Sequence, residues 1–215
     1  MKIALVGGTG DIGTGFAVRW GQKHEIIIGS RNEDKARESA AAIMQMEAAN
    51  VRGMDNAGAV AEADVVVLCV PFEHLTSVTG DLRDFYQSQI VISPVVPMIY
   101  NGKFFQFNPP AEGSAAMLAR SLLPEGVRVV SAFHTICAAA LQDRERVMKG
   151  DAFICSDEAE AIDITAELAG EIKSLRPLKA GPLAASPMVE SLTPFLLNVA
   201  RKNKIKNAGI AVISS

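Results

Sequence analysis

The chain is poor in cysteine and in aromatic residues. Its 215 residues include three cysteines, two tyrosines and one tryptophan. Cys69, Cys137 and Cys155 are scattered, their number is odd, and none belongs to a CxxC pair. A disulfide framework needs paired cysteines in an oxidising compartment, and a structural zinc site needs clustered ones. We therefore expect reduced thiols, a cytoplasmic location and no bound metal.

A dominant charge and long apolar runs are also missing. The chain has 21 Lys and Arg against 24 Asp and Glu, whereas a surface that binds nucleic acid needs a strong basic field. The longest uncharged apolar stretch, Val65–Phe72, is far shorter than the roughly 20 residues of a membrane span. The apolar run Ile3–Val6 is too short for a signal peptide. These absences predict no nucleic-acid partner and no membrane partner.

What the chain does have is a regular alternation of short apolar runs with longer amphipathic segments. Hydrophobic residues make up 49% of the sequence, which is enough for a substantial core. Runs such as Val65–Val70 are apolar throughout, as is typical of parallel strands that are covered on both faces. The order of segments predicts an α/β fold of the Rossmann type, with a doubly wound, mostly parallel sheet.

The bounds of the predicted elements follow from these runs. The predicted strands are Lys2–Val6, Glu25–Gly29, Val51–Gly53, Asp64–Val70, Gln89–Ser93, Arg128–Ala132 and Ala152–Cys155. The predicted helices are Asp11–Lys23, Glu33–Ala48, Asn56–Glu62, Thr76–Tyr86, Ser114–Leu122 and Glu158–Leu175.

The composition changes after Arg176. The stretch RPLKAGPLAASP is typical of a connector, and apolar residues at helical spacing then predict a helix from Met188 to about Lys206, kinked at Pro194. The sequence thus predicts a Rossmann domain over residues 1–181 and a small C-terminal helical cap over residues 182–215. Because this helix is apolar on one side, we expect a homodimer.

A glycine-rich motif lies directly after the first predicted strand and opens the first helix. It has the form GxGxxG and consists of Gly8, Thr9, Gly10, Asp11, Ile12 and Gly13. In this context the glycines allow a tight turn and close approach of a pyrophosphate, which the free N–H groups of the helix then bind. The alternative is a glycine-rich turn without a ligand. The motif favours a dinucleotide site.

The tip of the second strand indicates which dinucleotide is bound. Enzymes that prefer NAD place Asp or Glu there to bind the ribose hydroxyls. This chain has Ser30 and Arg31 instead, with Lys35 one helical turn beyond. A hydroxyl and two cations suit a 2′-phosphate, so the pattern predicts NADP. The alternative is that Arg31 and Lys35 are ordinary solvated charges.

Two histidines are candidates for the chemistry. No Tyr-x-x-x-Lys pair is present, because Ile90 and Phe104 stand four residues after the two tyrosines, which excludes short-chain dehydrogenase catalysis. His74, in PFEH, and His134, in SAFHTICA, both follow predicted strands and so fall at the ligand-binding edge of the sheet. His74 either contacts the nucleotide or caps the next helix. His134 either faces the nicotinamide or has a structural role.

The motifs taken together resemble one family. The segments VGGTGDIG, IIIGSRNEDKA, VPFEH, IVISPVVP, VVSAFHTI, LRPLKAGPL and VESLTPFLLN are similar, in this order, to those of the NADPH:coenzyme F420 oxidoreductases. The resemblance implies hydride transfer between NADP and a deazaflavin, with the rings stacked and the C-terminal helices closing over the second ring. It implies that NADP is held by Thr9 to Ile12, Ser30, Arg31, Lys35 and Phe72, with Ala138 near the nicotinamide. It also implies a deazaflavin pocket lined by His134, the candidate catalytic residue, and by Ile136, Ser191 and Thr193.

One segment departs from the family pattern. Family members can carry a basic residue just before VESLTP, where this chain has Ser186, Pro187 and Met188. Lys103 or the run RKNKIK at 201–206 are candidates to replace that cation toward the anionic tail of coenzyme F420. The departure leaves two alternatives open, namely an NADPH-dependent reductase of another acceptor (a flavin, an imine or a metal chelate) and a non-catalytic NADP sensor.

Overall fold

The computed structural model describes residues 1–47 and 49–214. The strands in this part of the chain are β1 (Lys2–Val6), β2 (Glu25–Ser30), β3 (Val51–Asp55), β4 (Val65–Leu68), β5 (Ile90–Ser93), β6 (Met98–Tyr100), β7 (Phe105–Phe107), β8 (Arg128–Ser131), β9 (Gly150–Cys155) and β10 (Leu175–Gly181). The α-helices are α1 (Asp11–Trp20), α2 (Glu33–Met46), α3 (Asn56–Glu62), α4 (Phe72–Asp81), α5 (Ala115–Leu122), α6 (Ala138–Leu141), α7 (Ala159–Gly170), α8 (Ser186–Glu190) and α9 (Leu192–Asn203). None of these helices is long and apolar enough to cross a membrane.

Eight strands form one sheet in the order β10-β9-β8-β5-β4-β1-β2-β3. The six strands from β8 to β3 are parallel. β9 and β10 are parallel to each other, and β9 meets β8 at one antiparallel pair, Ser131 and Cys155. The chain reverses its direction of travel across the sheet between β1 and β4. The carboxyl ends of the strands at such a switch point form the ligand-binding crevice of doubly wound folds.

Helices cover both faces of the sheet, which confirms the predicted fold class. On one face Phe16 and Trp20 of α1 stack with ring centroids 4.4 Å apart, and Phe133 packs edge-on against both rings. On the other face α3, α4 and α5 bury a second cluster that includes Leu75 and Tyr86. Because both faces are covered, strands β4 and β5 are buried along their whole length.

Two strand regions differ from the prediction. The prediction of a connector after Arg176 is wrong for its first half, because Leu175–Gly181 forms strand β10. Pro177 is compatible with that strand because β10 is at the edge of the sheet, where a missing N–H breaks no second ladder. The antiparallel hairpin of β6 and β7 has no predicted counterpart. Its strands are three residues long, β6 is exposed throughout, and the alternation of β7 covers only three residues, which is too short a pattern to predict a strand.

The helix bounds also differ in places. α4 begins at Phe72 rather than Thr76, and α7 ends at Gly170 rather than Leu175. The predicted C-terminal helix is two helices that meet at Ser191, and the second runs without a break through Pro194 to Asn203. Pro194 lies in the first turn of α9, where a backbone N–H has no helical acceptor and a proline costs little. The predicted end of the second helix at Ala48 and the last residue of the cap, Ser215, lie outside the described residues.

Candidate active site

The first turn of α1 presents free backbone donors at the switch point. Gly10 is the N-cap of α1, and no side chain caps this end. By contrast, Asn32, Asp55 and Ser114 cap α2, α3 and α5 with their side chains. An uncapped helix N-terminus carries unsatisfied N–H groups and a partial positive charge. Such an end fits the pyrophosphate of a dinucleotide.

The glycines of the motif have different local surroundings. A Cβ atom built on Gly13 would lie 2.3 Å from the carbonyl oxygen of Gly8, whereas one built on Gly10 would meet no atom within 4 Å. Gly13 is therefore required by the packing of α1 on the β1 turn. Gly10 faces open space, which is the space that a bound phosphate would need.

A cleft of about 140 Å³ lies beside the tip of β2. Its lining includes Thr9, Ser30, Arg31 and His74. Arg31 and Lys35 are exposed, and neither forms an ion pair with another described residue. By contrast, Arg37 on the same helix pairs with Glu33 at 2.6 Å. Two unpaired cations at the N-terminal end of α2, where the helix dipole disfavours them, fit an anionic ligand such as a 2′-phosphate.

The hydrogen bonds around this cleft hold its backbone in place. The Ser30 hydroxyl accepts from the N–H of Asn32 at 3.1 Å, and the Asn32 side chain accepts from the N–H of Lys35 at 3.2 Å. Lys35 itself lies outside the lining of the cleft. His74 does not cap α4, because Pro71 is the N-cap and His74 is the third helical residue. The structure thus excludes the alternative that His74 caps the helix, and it places His74 in the same cleft as Ser30 and Arg31.

Sequence reasoning missed Asn56. It is 92% buried, lines the same cleft, and accepts a hydrogen bond from the backbone N–H of Gly7 at 3.2 Å. This contact ties the end of β3 to the glycine-rich turn. The signal available in the sequence is that Asn56 opens the predicted helix Asn56–Glu62, at the carboxyl end of the strand before it, where ligand-binding residues of this fold lie.

A second groove continues from the 140 Å³ cleft along the carboxyl edge of the sheet. Val70 and Pro71 line both the 140 Å³ cleft and a neighbouring cleft of about 520 Å³. The larger cleft also contains Ile12 and Phe72. Beyond it lies a mostly apolar cleft of about 430 Å³. The two larger clefts share four lining residues, Met98, His134, Ile136 and Thr193. Ala138 lines the second of them.

His134 is held in the wall between these two clefts. The residue is 94% buried, and burial lowers the pKa of its imidazole to about 4, with a smaller opposing effect from a hydrogen bond to the Ser93 backbone. Phe133 has a positive φ of 70°, an unusual conformation for a bulky residue. The Phe133 ring packs on α1, and His134 lines the clefts. At neutral pH the imidazole is uncharged.

The C-terminal helices form the other wall. The Thr193 hydroxyl donates to the backbone carbonyl of His134 at 2.7 Å. Ser191, predicted to line the pocket, instead donates to the Met188 carbonyl at 2.8 Å and lies outside the lining of both larger clefts. Of the two hydroxyl residues in ESLTP, the structure therefore brings Thr193 to the clefts, whereas Ser191 bonds the preceding helix.

The segment Ser186–Met188, which departs from the family pattern, lies at the start of α8. Ser186 is fully buried, with its hydroxyl 2.6 Å from that of Ser114, whereas Met188 is 67% exposed. Of the candidate cations, Arg201 lies over the Tyr100 ring at 4.9 Å and donates to its hydroxyl, and Lys103 is exposed at the hairpin turn. The hairpin is joined to α9, because the Asn198 side chain bonds both backbone groups of Phe105.

The doubly wound sheet, the glycine-rich turn and the groove along the sheet edge are those of the dinucleotide-binding class of Rossmann proteins. Residues 2–97 match the family described as NADP oxidoreductase, coenzyme F420-dependent. The F420-dependent NADP reductase of Methanothermobacter thermautotrophicus is 36% identical, over 99% of this chain and 94% of the relative. That of Methanocaldococcus jannaschii is 35% identical, over 99% of this chain and 98% of the relative. The chain belongs to the family of F420-dependent NADP reductases.

A solved structure agrees with this fold over its whole length. It is that of an Arthrobacter protein provisionally assigned as an F420-dependent NADP reductase, with a TM-score of 0.84 over 100% of both chains. Its sequence is 21% identical, so this likeness bears on the fold alone.

Proposed function

We propose that the chain transfers a hydride directly between NADPH or NADP and the deazaflavin coenzyme F420. The observation that carries this proposal is the wall formed by Met98, His134, Ile136 and Thr193, which two adjoining clefts share. One cleft continues to the nucleotide end through Val70 and Pro71. Two flat rings that must exchange a hydride need such adjoining spaces, because alignment alone supplies a large part of the rate.

In this proposal each residue predicted to bind NADP has a separate role. Gly8, Thr9, Gly10, Asp11, Ile12 and Gly13 form the turn that receives the pyrophosphate on the open N-terminus of α1. Ser30, Arg31 and Lys35 bind the 2′-phosphate, with His74 beside them. Phe72 packs against the nucleotide where the groove leads toward the second cleft. The unpaired state of the two cations supports this assignment.

The second cleft receives the deazaflavin. Ala138 and Ile136 give it apolar surface, His134 and Thr193 give it polar atoms, and Ser191 belongs to the helix joint behind them. When both substrates are bound, the nicotinamide and the deazaflavin supply the hydride chemistry. The protein orients them and excludes water. His134, the candidate catalytic residue, acts as a neutral hydrogen-bonding group, because its pKa lies near 4.

The organisation of the molecule fits this division of roles. In this proposal residues 1–181 are the NADP-binding domain, and α8 and α9 of the predicted cap stand beside the deazaflavin. We further propose a homodimer, supported by exposed apolar side chains on the cap, including Met188 and Phe195. Sedimentation velocity at micromolar concentration tests the homodimer, and a monomer would exclude it.

The three free cysteines fit a reducing, cytoplasmic location.

Anaerobic mixing of the purified protein with oxidised coenzyme F420 and NADPH tests the main proposal. We expect rapid loss of the deazaflavin absorbance with NADPH and little loss with NADH. Equal rates with the two nucleotides would contradict the 2′-phosphate assignment. Binding of NADPH without bleaching of the deazaflavin would contradict the choice of F420 as the hydride partner.

A further inference from the structure

Glu190 is a fully buried carboxylate at the end of α8. Its Oε2 atom accepts a hydrogen bond from the N–H of Ala115 at 2.8 Å, and its Oε1 atom accepts from the N–H of Ala116 at 3.0 Å. Both donors lie in the first turn of α5, 75 and 74 residues away along the chain. The carboxylate therefore joins the C-terminal helices directly to the Rossmann domain.

The capping of α5 is complete only with this distant residue. The hydroxyl of Ser114, the N-cap, accepts from the N–H of Met117 at 3.0 Å. The two N–H groups between them, those of Ala115 and Ala116, are bound by Glu190. A negative charge at a helix N-terminus is favoured by the helix dipole. Burying a carboxylate is nevertheless costly, and burial raises the pKa of Glu190 to about 7 despite the two N–H donors. A costly buried charge at this place calls for a role besides capping.

The position of Glu190 in the chain indicates that role. α8 ends at Glu190, Ser191 forms the joint, and α9 begins at Leu192. Thr193, three residues after Glu190, bonds the His134 carbonyl in the wall of the substrate clefts. The joint is thus fixed on one side to α5 and on the other side to the segment after β8. A second contact with α5, between the hydroxyls of Ser186 and Ser114 at 2.6 Å, fixes the beginning of α8.

We infer that Glu190 is a positioning residue for the second substrate. By seating the α8–α9 joint on α5, it fixes where Thr193 and the cleft-lining face of α9 stand relative to His134. That face includes Leu196 and Leu197. Glu190 does not line either of the two larger clefts, so it acts through the joint and not by touching a substrate. Naming the second substrate as coenzyme F420 rests on the proposed function.

Glu190→Gln tests the inference, because the amide keeps the shape but turns an NH₂ group toward a backbone N–H. Fluorescence quenching of the deazaflavin, without nucleotide, measures F420 binding in the full-length protein. We expect the dissociation constant for F420 to rise about tenfold, while that for NADPH changes less than about twofold. The KM for F420 should rise in parallel. Glu190→Asp, which keeps the charge on a shorter side chain, should give an intermediate value.

Ile172→Val is the control for general loss of stability. Ile172 is fully buried. It belongs to the core cluster on the α1 and α7 face, which does not include the α8–α9 joint. A selective loss of F420 binding in Glu190→Gln alone supports a positioning role. The positioning role would be overturned by any of three results: equal losses of affinity for F420 and NADPH, an equal loss of F420 affinity in Ile172→Val, or unchanged F420 binding in Glu190→Gln.

Amide hydrogen exchange separates this inference from the proposed function. Without any ligand, Glu190→Gln should lower the protection of amides in α9 about tenfold and leave those of α1 unchanged. If the wild-type protein bound no F420 but the exchange result held, the proposed substrate would be wrong and the seating role of Glu190 would stand. Unchanged protection in α9 would overturn the seating role, whatever the substrate.

Discussion

The hydroxyl of Thr193 donates a hydrogen bond to the backbone carbonyl of His134 at 2.7 Å. The two residues are 59 positions apart, one in the first turn of α9 and the other just after β8. Both line the two larger clefts. This bond therefore sets the spacing between the Rossmann domain and the C-terminal helices at the point where we propose that the second substrate binds.

Thr193→Val should weaken the handling of F420 without affecting NADPH. Valine has the same shape but leaves the His134 carbonyl without its donor, a loss of about 1 kcal/mol, or roughly fivefold in binding. We expect the KM for F420 to rise by about that factor, measured by initial rates at saturating NADPH. Thr193→Ser retains the hydroxyl and serves as the control. A matching increase in the KM for NADPH would contradict the assignment of Thr193 to the second cleft.

Arg31→Ala should reduce the preference for NADPH over NADH. A charge-assisted hydrogen bond is worth about 1.5–3 kcal/mol, so kcat/KM for NADPH should fall by roughly ten- to 150-fold while that for NADH stays constant. Arg37→Ala is the matched control, because Arg37 is on the same helix but is paired with Glu33. If both variants lost the same activity, a specific contact between Arg31 and the 2′-phosphate would be excluded.

Two alanine substitutions should separate the packing role from the binding role of the glycine motif. Gly13→Ala places a methyl group 2.3 Å from the Gly8 oxygen, so it should lower the free energy of unfolding by about 1–3 kcal/mol. Gly10 has φ −92° and no atom within 4 Å of an added Cβ, so Gly10→Ala should cost only the preference of an N-cap for Gly over Ala, about 1 kcal/mol or less. It should instead weaken NADPH binding. Urea unfolding and NADPH titration of both variants check this, and a large stability loss in Gly10→Ala would contradict it.

The buried His134 should make the protein less stable in acid. Its pKa is about 4 in the folded state and 6.5 in the ordinary state, so the unfolded chain binds more protons between these values. By linkage, this residue's contribution is complete above pH 6.5 and is lost as pH falls toward 4, by on the order of 3 kcal/mol. His134→Asn should remove that slope, as measured by chemical unfolding from pH 8 to pH 4.

The comparison with wild type isolates His134 in this experiment. Glu190 also titrates in this range, but it does so in both proteins and cancels in the difference between them. His74→Asn is the control, since the His74 side chain is 45% exposed. If the free energy of unfolding of His134→Asn changed with pH in parallel with that of the wild type, burial would not lower the pKa of His134.

The local parts of the site were predictable, and the distant parts were not. The glycine-rich turn, to which we assign the pyrophosphate, involves only residues 2–13, whose order of strand, glycines and helix is explicit in the sequence. Ser30 and Arg31 follow from the same rule one strand later. Asn56 and Glu190 were missed because each acts on a backbone N–H far away in the chain, Asn56 on Gly7 and Glu190 on Ala115. No spacing between a side chain and such a partner is visible in the sequence.

Exposure explains the elements that were missed or misread. Hydrophobic periodicity marks a strand only when one or both faces are buried. β6 is exposed along its whole length, and β10 is a partly exposed edge strand that contains Pro177. The helix joint at Ser191 was misplaced for a related reason. Proline is a breaker only within a helix, and whether Pro194 lies within a helix depends on where α9 begins.

Short-range periodicity and local motifs were enough to predict the doubly wound sheet, the glycine-rich turn, and the positions of Arg31 just after β2 and Lys35 at the start of α2. The tertiary structure alone decided which polar groups meet. It turned Ser191 away from the clefts, brought Thr193 to His134 and buried Glu190 against α5. The Thr193 and Glu190 contacts join residues 59 and 75 positions apart. They form only when the C-terminal helices pack against α5 and the segment after β8, so their geometry depends on the tertiary packing rather than on any single motif.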